Sequence, residues 1–379
     1  MRRREFVVAA GSALAGAAAG IRPAAAEPQA KRAGGTTRVQ AVIRELRLRQ
    51  AWTLSRGTWT TRRNVFVRLE RDGVAGYGEA APIARYNETA ESALAFVRQV
   101  EPLLQGDLWA FQDLWMSIDR SAPGEHAAKT ALDLAVLDWA TKTLHIPLYR
   151  WLGADPRRAP RTTYSIGIDE VPVMQEKVRQ AAGFSVYKIK VGTADDRKII
   201  EGIRAVTDKP LRADANEGWK SREEALEMIT WMAKRGVELI EQPLPASQLD
   251  DYRWLKERTP IPIFADESLM TTADIPGLAG AFDGVNVKLM KCGGVQEAVR
   301  MAAVARAVGL KLMLGCMIES SLGIAAAAAV SPLFDYADLD GNLLIDNDPF
   351  RGLGLDGDRL VLSPKPGLGV EGDVWGRDG

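Results

Sequence analysis

The sequence predicts an α/β fold: a (β/α) barrel of the TIM type, preceded by an α+β domain to which the C-terminal tail returns. Three observations carry that expectation. From about residue 160, short apolar strands recur with starts roughly 22–28 residues apart, the span of one strand-plus-helix unit. Eight such units can be counted, the number that closes a barrel, with an open doubly wound sheet as the alternative. Finally, the polar residues of these strands gather at their C-terminal ends, the face on which barrel active sites are built.

The strands are "TTYSIGI" (162–168), "YKIKVG" (187–192), "LRADAN" (211–216), "LIEQP" (239–243), "IFADES" (263–268), "VNVKLM" (285–290), "KLMLGC" (311–316) and "DYADLDG" (335–341). Amphipathic stretches separate them. "SREEALEMITWMAKRG" (221–236), for example, ends on a glycine where a helix C-cap belongs. Upstream, "RNVFVRLERDGVAGYGEAAP" (63–82) reads as two strands around the turn Arg71-Asp72-Gly73, followed by helical sequence from about Ala90 to Leu144. We therefore place the N-terminal part of the α+β domain at 38–158, the barrel at 159–341 and the return to that domain at 342–379. A Gly-x-Gly-x-x-Gly run at 352–357 has neither a strand before it nor a helix after it, so its glycines are assigned to turns rather than to a dinucleotide.

Composition narrows the function. The 379 residues carry 49 basic and 49 acidic side chains, a balance that gives no reason to expect nucleic acid or an anionic membrane as partner. No apolar run beyond the N-terminus reaches the length of a membrane span. Two cysteines, Cys292 and Cys316, argue against a disulfide framework or a zinc site, and two histidines, His126 and His145, leave little room for imidazole chemistry. The first 26 residues resemble a twin-arginine export signal: Arg3-Arg4, then Phe6 and a short Ala/Gly-rich apolar run, then a small-residue cleavage site after Ala26. Periplasmic localisation is the expectation that follows. The sequence leaves oligomeric state open, a homo-oligomer included.

The chemistry is written in carboxylates and lysines. Asp214, Glu241 and Asp266 close three consecutive strands, and three converging acids repel one another unless positive charge lies between them. All-oxygen acidic ligands suit a hard divalent cation, magnesium above all. Lys190 ends the second strand and Lys288 the sixth, which face each other across an eight-stranded barrel. Two bases flanking one carbon can remove a proton from one side and return it on the other. Lys188, two residues before Lys190, shares its face of the strand. There it can touch a substrate carboxylate and lower the pKa of its neighbour by like-charge repulsion.

With those motifs in place, the chain resembles the enolase superfamily, in its muconate-lactonizing subgroup, over essentially all of residues 38–370. Its nearest likeness there is to the dipeptide epimerases. The matching motifs are "YKIKVG", "ADANEGW", "IEQPLP", "FADES", "VNVKLMKCGG" and "ADLDG". The resemblance implies a capping domain over a (β/α)7β barrel, Mg2+ on Asp214, Glu241 and Asp266, and acid/base lysines Lys190 and Lys288, with Lys291 as the less favoured base. It also implies that Asp338 and Asp340 bind the α-ammonium of a dipeptide; their i, i+2 spacing puts both carboxylates on one face of a strand.

The implied activity is a 1,1-proton transfer at the α-carbon of the C-terminal residue of an L-Ala-Xaa-type dipeptide, through an enediolate. In relatives acting on Ala-Glu, a cap arginine pairs the glutamate side chain, and the matching position in "LSRGTWTTRR" (54–63) holds Trp59. The expectation is therefore a second residue other than Glu, with Trp59 and Arg56 among the substrate-binding residues. Arg56, Arg62, Arg63 and Arg85 lie close enough in sequence that a one-turn realignment restores an acid partner. "PIARYNETAE" (82–91) is expected to form a second covering loop. Alternatives are an L-Ala-D/L-Glu epimerase and an o-succinylbenzoate synthase or cycloisomerase of the same subgroup. Two more distant readings are an exported dipeptide-binding protein without catalysis and a Schiff-base aldolase.

Overall fold

The computed structural model describes residues 35–376. The export signal assigned to 1–26 lies outside those residues.

The cap begins with a strand that the sequence reading did not single out. β1 (Arg38–Leu54) pairs antiparallel with β2 (Gly57–Arg71), which pairs with β3 (Val74–Ala80). The β2–β3 turn is the expected one: Asp72 and Gly73 both take positive φ, 53° and 76°, the geometry of a two-residue hairpin turn. Alternation then sorts β2 between two cores. Val65, Val67 and Leu69 pack with the apolar faces of α1 (Ala90–Val100) and α3 (His126–Thr143), whereas Phe66 faces the barrel side and stacks on Phe350 of the tail. A third helix, α2 (Phe111–Ser121), completes the expected helical stretch.

α3 is the keystone between the two parts. It is buried from Ala127 to Thr141, as a helix must be when a sheet covers one side and barrel elements the other. Two glycines of β3, Gly76 and Gly78, let the strand lie against its backbone, where any Cβ would drive into the carbonyls of Ala135 and Ala131. On the barrel side, Thr130 donates to the Leu289 carbonyl at 2.6 Å. The buried Asp133 carboxylate accepts from the Val295 amide at 2.6 Å, an anion at the otherwise uncapped N-terminus of the helix Val295–Ala307. Cap and barrel are thus joined beside the strand end that carries Lys288.

The barrel strands are β4 (Tyr164–Ile166), β5 (Tyr187–Lys190), β6 (Leu211–Asp214), β7 (Val237–Glu241), β8 (Ile263–Ala265), β9 (Gly284–Lys288), β10 (Lys311–Gly315) and β11 (Tyr336–Asp338), parallel and in sequential order. A parallel bridge from Thr162 to Ala337 brings the last strand beside the first. The tail then returns to the cap: Leu368 donates its amide to Asp138 of α3, and Gly367 bridges to Pro147. Gly357 of the Gly-x-Gly-x-x-Gly run takes φ 61° in the turn of a small hairpin, Gly354–Asp356 paired with Arg359–Val361.

Replacing Gly78 by Ala is expected to force β3 off α3 and to lower stability by about 1–3 kcal/mol, the usual cost of overpacking. Thermal unfolding of the variant measures it, and a wild-type midpoint would show that the two elements can separate freely.

Candidate active site

Strand register places the site before any side-chain contact is considered. Lys190 pairs with Asp214, and Asp214 with Glu241, across three adjacent parallel strands, so the three side chains stand in one row at the barrel mouth. Lys188 lies one layer below on the same inner face, while Ile189 points outward into the apolar core. Asp266 follows β8 directly. Ligand oxygens of Asp214, Glu241 and Asp266 all lie within 4.8 Å of one another, and all three residues are buried.

Four lysines converge on these acids. Lys190 Nζ donates to Asp214 Oδ2 at 2.7 Å, and Lys288 Nζ to Asp266 Oδ2 at 2.8 Å. Lys188 Nζ sits between Asp338 Oδ2 at 2.7 Å, Glu241 Oε2 at 2.8 Å and Asp214 Oδ2 at 3.1 Å. Lys291 bonds both the carboxylate and the carbonyl of Asp266. It does not line the cavity, so its place is behind a cluster residue rather than in front of a substrate. Asn286 adds a hydrogen bond to Glu241 Oε1 at 2.8 Å. Neither Asn286 nor the part played by Lys291 can be read from strand-end patterns, because both depend on how β9 faces its neighbours.

The electrostatics are uneven. Burial opposes ionisation of Asp214 and Asp266, but Lys190 and Lys188 outweigh it at the first, and Lys288 and Lys291 at the second, so both are held below the usual carboxylate range. Glu241 goes the other way: burial, and then the neighbouring Asp214 charge, push it up to about 8. Its Oε2 is buried with Lys188 Nζ at 2.8 Å as its cation, one that it shares with Asp214 and Asp338. Three convergent buried carboxylates, one of them raised by burial and by its acidic neighbours, fit a hard divalent cation. Asn216, Glu217 and Gln242, which follow two of these acids, all have positive φ at 45°, 66° and 38°. For non-glycine residues that is stored strain, held here by contacts such as Gln242 Oε1 accepting the Asp266 amide at 2.8 Å.

Above the cluster is a cavity of about 300 Å³ between barrel and cap. Lys188, Lys190, Lys288, Asp266, Asp338 and Asp340 line it from below. Lys190 and Lys288 come from β5 and β9, the second and sixth of eight strands, hence from opposite sides of the mouth. Asp338 and Asp340 are bridged by Ser165, whose amide donates to Asp340 at 2.6 Å, and Thr163 donates to Asp338. Asp338 also has Lys188. Asp340 has no cation among the described residues, and burial, followed by the charge of Asp338, raises it to about 7.

The cap closes the cavity with Trp52, Trp59, Arg56 and Arg62 of the β1–β2 hairpin and with Ile83 to Tyr86 of the second loop. The Arg56 guanidinium is already engaged: it reaches Glu267 at 2.7 Å, Glu217 at 3.3 Å and the Asn216 carbonyl at 3.3 Å, fastening the hairpin to the barrel. Arg85 forks onto Glu217 with two bonds of 3.0 Å. Cys292 and Cys316 are free thiols.

Both halves of the chain are similar to known proteins. Residues 36–153 match the family model described as mandelate racemase / muconate lactonizing enzyme, N-terminal domain, and residues 173–375 match enolase C-terminal domain-like. The chain is 43% identical to an L-Ala-D/L-Glu epimerase of Bacteroides thetaiotaomicron, covering 89% of this chain and 88% of that one. It is 42% identical to an L-Ala-D/L-amino acid epimerase of Pedosphaera parvula, over 85% and 95%. A dipeptide epimerase of Enterococcus faecalis, crystallised with Mg and L-Leu-L-Tyr, superposes with a TM-score of 0.83 at 30% identity, over 89% and 99%.

A cation bound by this cluster should raise the thermal unfolding midpoint. At a hundredfold excess of Mg2+ over its Kd the gain is about 2.7 kcal/mol. Glu241→Gln, which keeps the shape and removes the charge, should abolish the rise. A rise that survives the substitution would place the cation elsewhere.

Proposed function

The chain belongs to the mandelate racemase/muconate lactonizing enzyme family of the enolase superfamily, and we propose that it is a Mg2+-dependent dipeptide epimerase. The observation that carries the reading is the placement of Lys190 and Lys288: each is hydrogen-bonded to a different acid of one cluster, and they approach it from opposite strands.

The proton α to a carboxylate is hard to remove because a second negative charge builds up on that group. A divalent cation, which Asp214, Glu241 and Asp266 would hold, would supply compensating positive charge there. Lys188 adds to it: burial favours its neutral form, but Asp338, Glu241 and Asp214 overcome this and hold it charged. Asp338 and Asp340 receive the α-ammonium, and Asp340 gains the positive partner it lacks. With both ends of the dipeptide held, the α-carbon of its C-terminal residue lies between the two lysines. One takes the proton from its face and the other returns a proton to the opposite face, inverting the centre. The substrate is held in fixed geometry and under a cap whose tryptophans exclude water. A cycloisomerase or o-succinylbenzoate synthase has no cationic end to bind and leaves the Asp338/Asp340 pair without a task.

The twin-arginine-type sequence at 1–26 supports a further reading, which we propose: that the enzyme is exported to the periplasm. Changing Arg3 and Arg4 together to Lys should retain the protein in the cytoplasm, and fractionation showing unchanged export would remove that assignment.

In D2O with Mg2+, a panel of L-Ala-L-Xaa dipeptides should yield a product with one deuterium and a new diastereomer. Lys190→Ala and Lys288→Ala should each slow turnover about 10²- to 10⁴-fold, the usual worth of a positioned acid or base. Each should affect exchange from one diastereomer more than from the other. Turnover that persists in both variants rules out the two-lysine scheme.

A further inference from the structure

Two carboxyl groups that the chemistry does not use are buried together where cap meets barrel. Glu79 lies on β3 of the cap and Glu319 just beyond β10 of the barrel, 0% and 1% exposed. Their hydrogen bonds are unequal. Glu79 accepts four: Asn64 Nδ2 at 2.8 Å and the Ser320 amide at 2.9 Å on Oε1, the Ser320 hydroxyl at 2.5 Å and the Gly323 amide at 3.0 Å on Oε2. Glu319 accepts one, from the Met317 amide at 2.7 Å on Oε1, and its Oε2 is buried without a partner. Gly323 lies against both groups, since a Cβ there would collide with Glu319 Oε2 and press on Glu79 Oε2. The orphaned oxygen is therefore aimed at the other carboxyl group.

Two anions so placed repel each other in surroundings that screen charge poorly. A carboxyl group that keeps its proton becomes a donor instead, and its neighbour is already an acceptor. The donors decide which group keeps it. Four of them favour the anion at Glu79, whereas Glu319 Oε2 receives none and is free to carry the hydrogen. Burial, followed by the Glu79 charge, raises Glu319 to about 8. The other groups near the pair do not displace that proton. Lys288 of β9 acts on Glu319 but is bonded to Asp266, Asp348 is taken up by the Ser321 amide and hydroxyl, and burial keeps the Cys316 thiol protonated.

We propose that Glu79 and Glu319 share one proton, carried on Glu319, and that this bond latches the cap to the barrel and positions the cavity wall formed by Cys316, Met317 and Ile318. All three of those residues line the cavity, and Glu319 does not. The pair reaches the wall from two sides: Glu319 Oε1 holds the Met317 amide, and Asn64, bonded to Glu79, also donates to the Ile318 carbonyl at 3.0 Å. Glu319 is thus a positioning residue, and the assignment is independent of the substrate turned over.

The test compares the wild-type protein with Glu319→Gln, whose amide donates as the protonated acid does but cannot ionise. An acid raised from 4.5 to about 8 is protonated in the folded chain and ionised in the unfolded one between those values, so its contribution is complete below the lower value and is lost as pH rises toward the upper. From about pH 5 to about pH 8, urea titrations should show the wild-type unfolding constant rising about tenfold per pH unit relative to that of Glu319→Gln. Above about pH 8 the Ser320 and Gly323 amides should lose protection from hydrogen exchange, corrected for the intrinsic rate, in the wild type and keep it in Glu319→Gln. Glu319→Ala should lack that protection at every pH, which makes the glutamine variant a rescue. Where the variants do not fold, the wild-type exchange profile decides alone. An unfolding ratio that stays flat with pH, or wild-type protection unchanged from about pH 6 to about pH 10, overturns the shared proton. Destabilisation by Glu319→Gln at every pH, without the slope, also overturns it and makes Glu319 an anion held by a bound cation.

Discussion

Buried charge must be matched, and at this barrel mouth that requirement sets the position of nearly everything else. Asp214, Glu241, Asp266, Asp338 and Asp340 are all buried, in surroundings where an uncompensated ion costs several kcal/mol. Lys188, Lys190, Lys288 and Lys291 meet most of that demand from within the fold. Two acids remain short. Glu241 and Asp340 are both raised, to about 8 and about 7, chiefly by burial and then by a neighbouring carboxylate. They mark two places where positive charge is wanted from outside the chain, one within the ligand cluster and one at the cavity wall. A divalent cation and the ammonium end of a substrate are groups of that kind. The fold alone does not complete the charge balance of the site.

Much of this was legible in the sequence because the period of a strand is two. "YKIKVG" fixes Lys188 and Lys190 to one face, and the recurrence of acids at strand ends brings Asp214, Glu241 and Asp266 to one rim. The turn at Asp72-Gly73 and the return of the tail to the cap were equally open to reading. Other features were not, for definite reasons. β1, "RVQAVIRELRLRQAWTL", has a partly exposed face and carries arginine and glutamate along its length, so it lacks the apolar run that marks a central strand. Asn286 of β9 acts on Glu241 of β7, and Lys291, just beyond β9, acts on Asp266, just beyond β8; no spacing within one strand reveals a partner on another. Ser165 links Asp338 to Asp340 only because the barrel closes, bringing its first strand beside its last.

The four cap arginines show most plainly where sequence reading stops. Composition makes Arg56, Arg62, Arg63 and Arg85 equivalent, and only their surroundings tell them apart. Glu217 and Glu267 follow two of the cluster acids closely in sequence and take up Arg56 and Arg85, so the loops that hold the cluster also anchor the cap. Positive φ at Asn216 and Glu217 turns the backbone so that the Asn216 carbonyl also reaches Arg56. Strain beside the cluster and closure of the cap are therefore parts of one arrangement.

That arrangement divides the work. The barrel holds its lysines and carboxylates on short strands hydrogen-bonded on both sides, with register leaving them little freedom to shift. On the proposed reading, whatever reacts there presents the same acidic carbon and the same two charged ends. The hairpin, by contrast, is tied down at its tip through Arg56, and its inward residues, Trp59 and Arg62, line the cavity from the cap side. A change at either alters which side chain fits while leaving the charge balance below intact. Changes at Lys188 or Asp338 cannot be isolated in this way, because each is an ion partner of the other and Lys188 also touches two members of the cluster. Selectivity can therefore vary on the cap at little cost to the chemistry, whereas the barrel mouth tolerates substitution only where charge is replaced by charge in the same place.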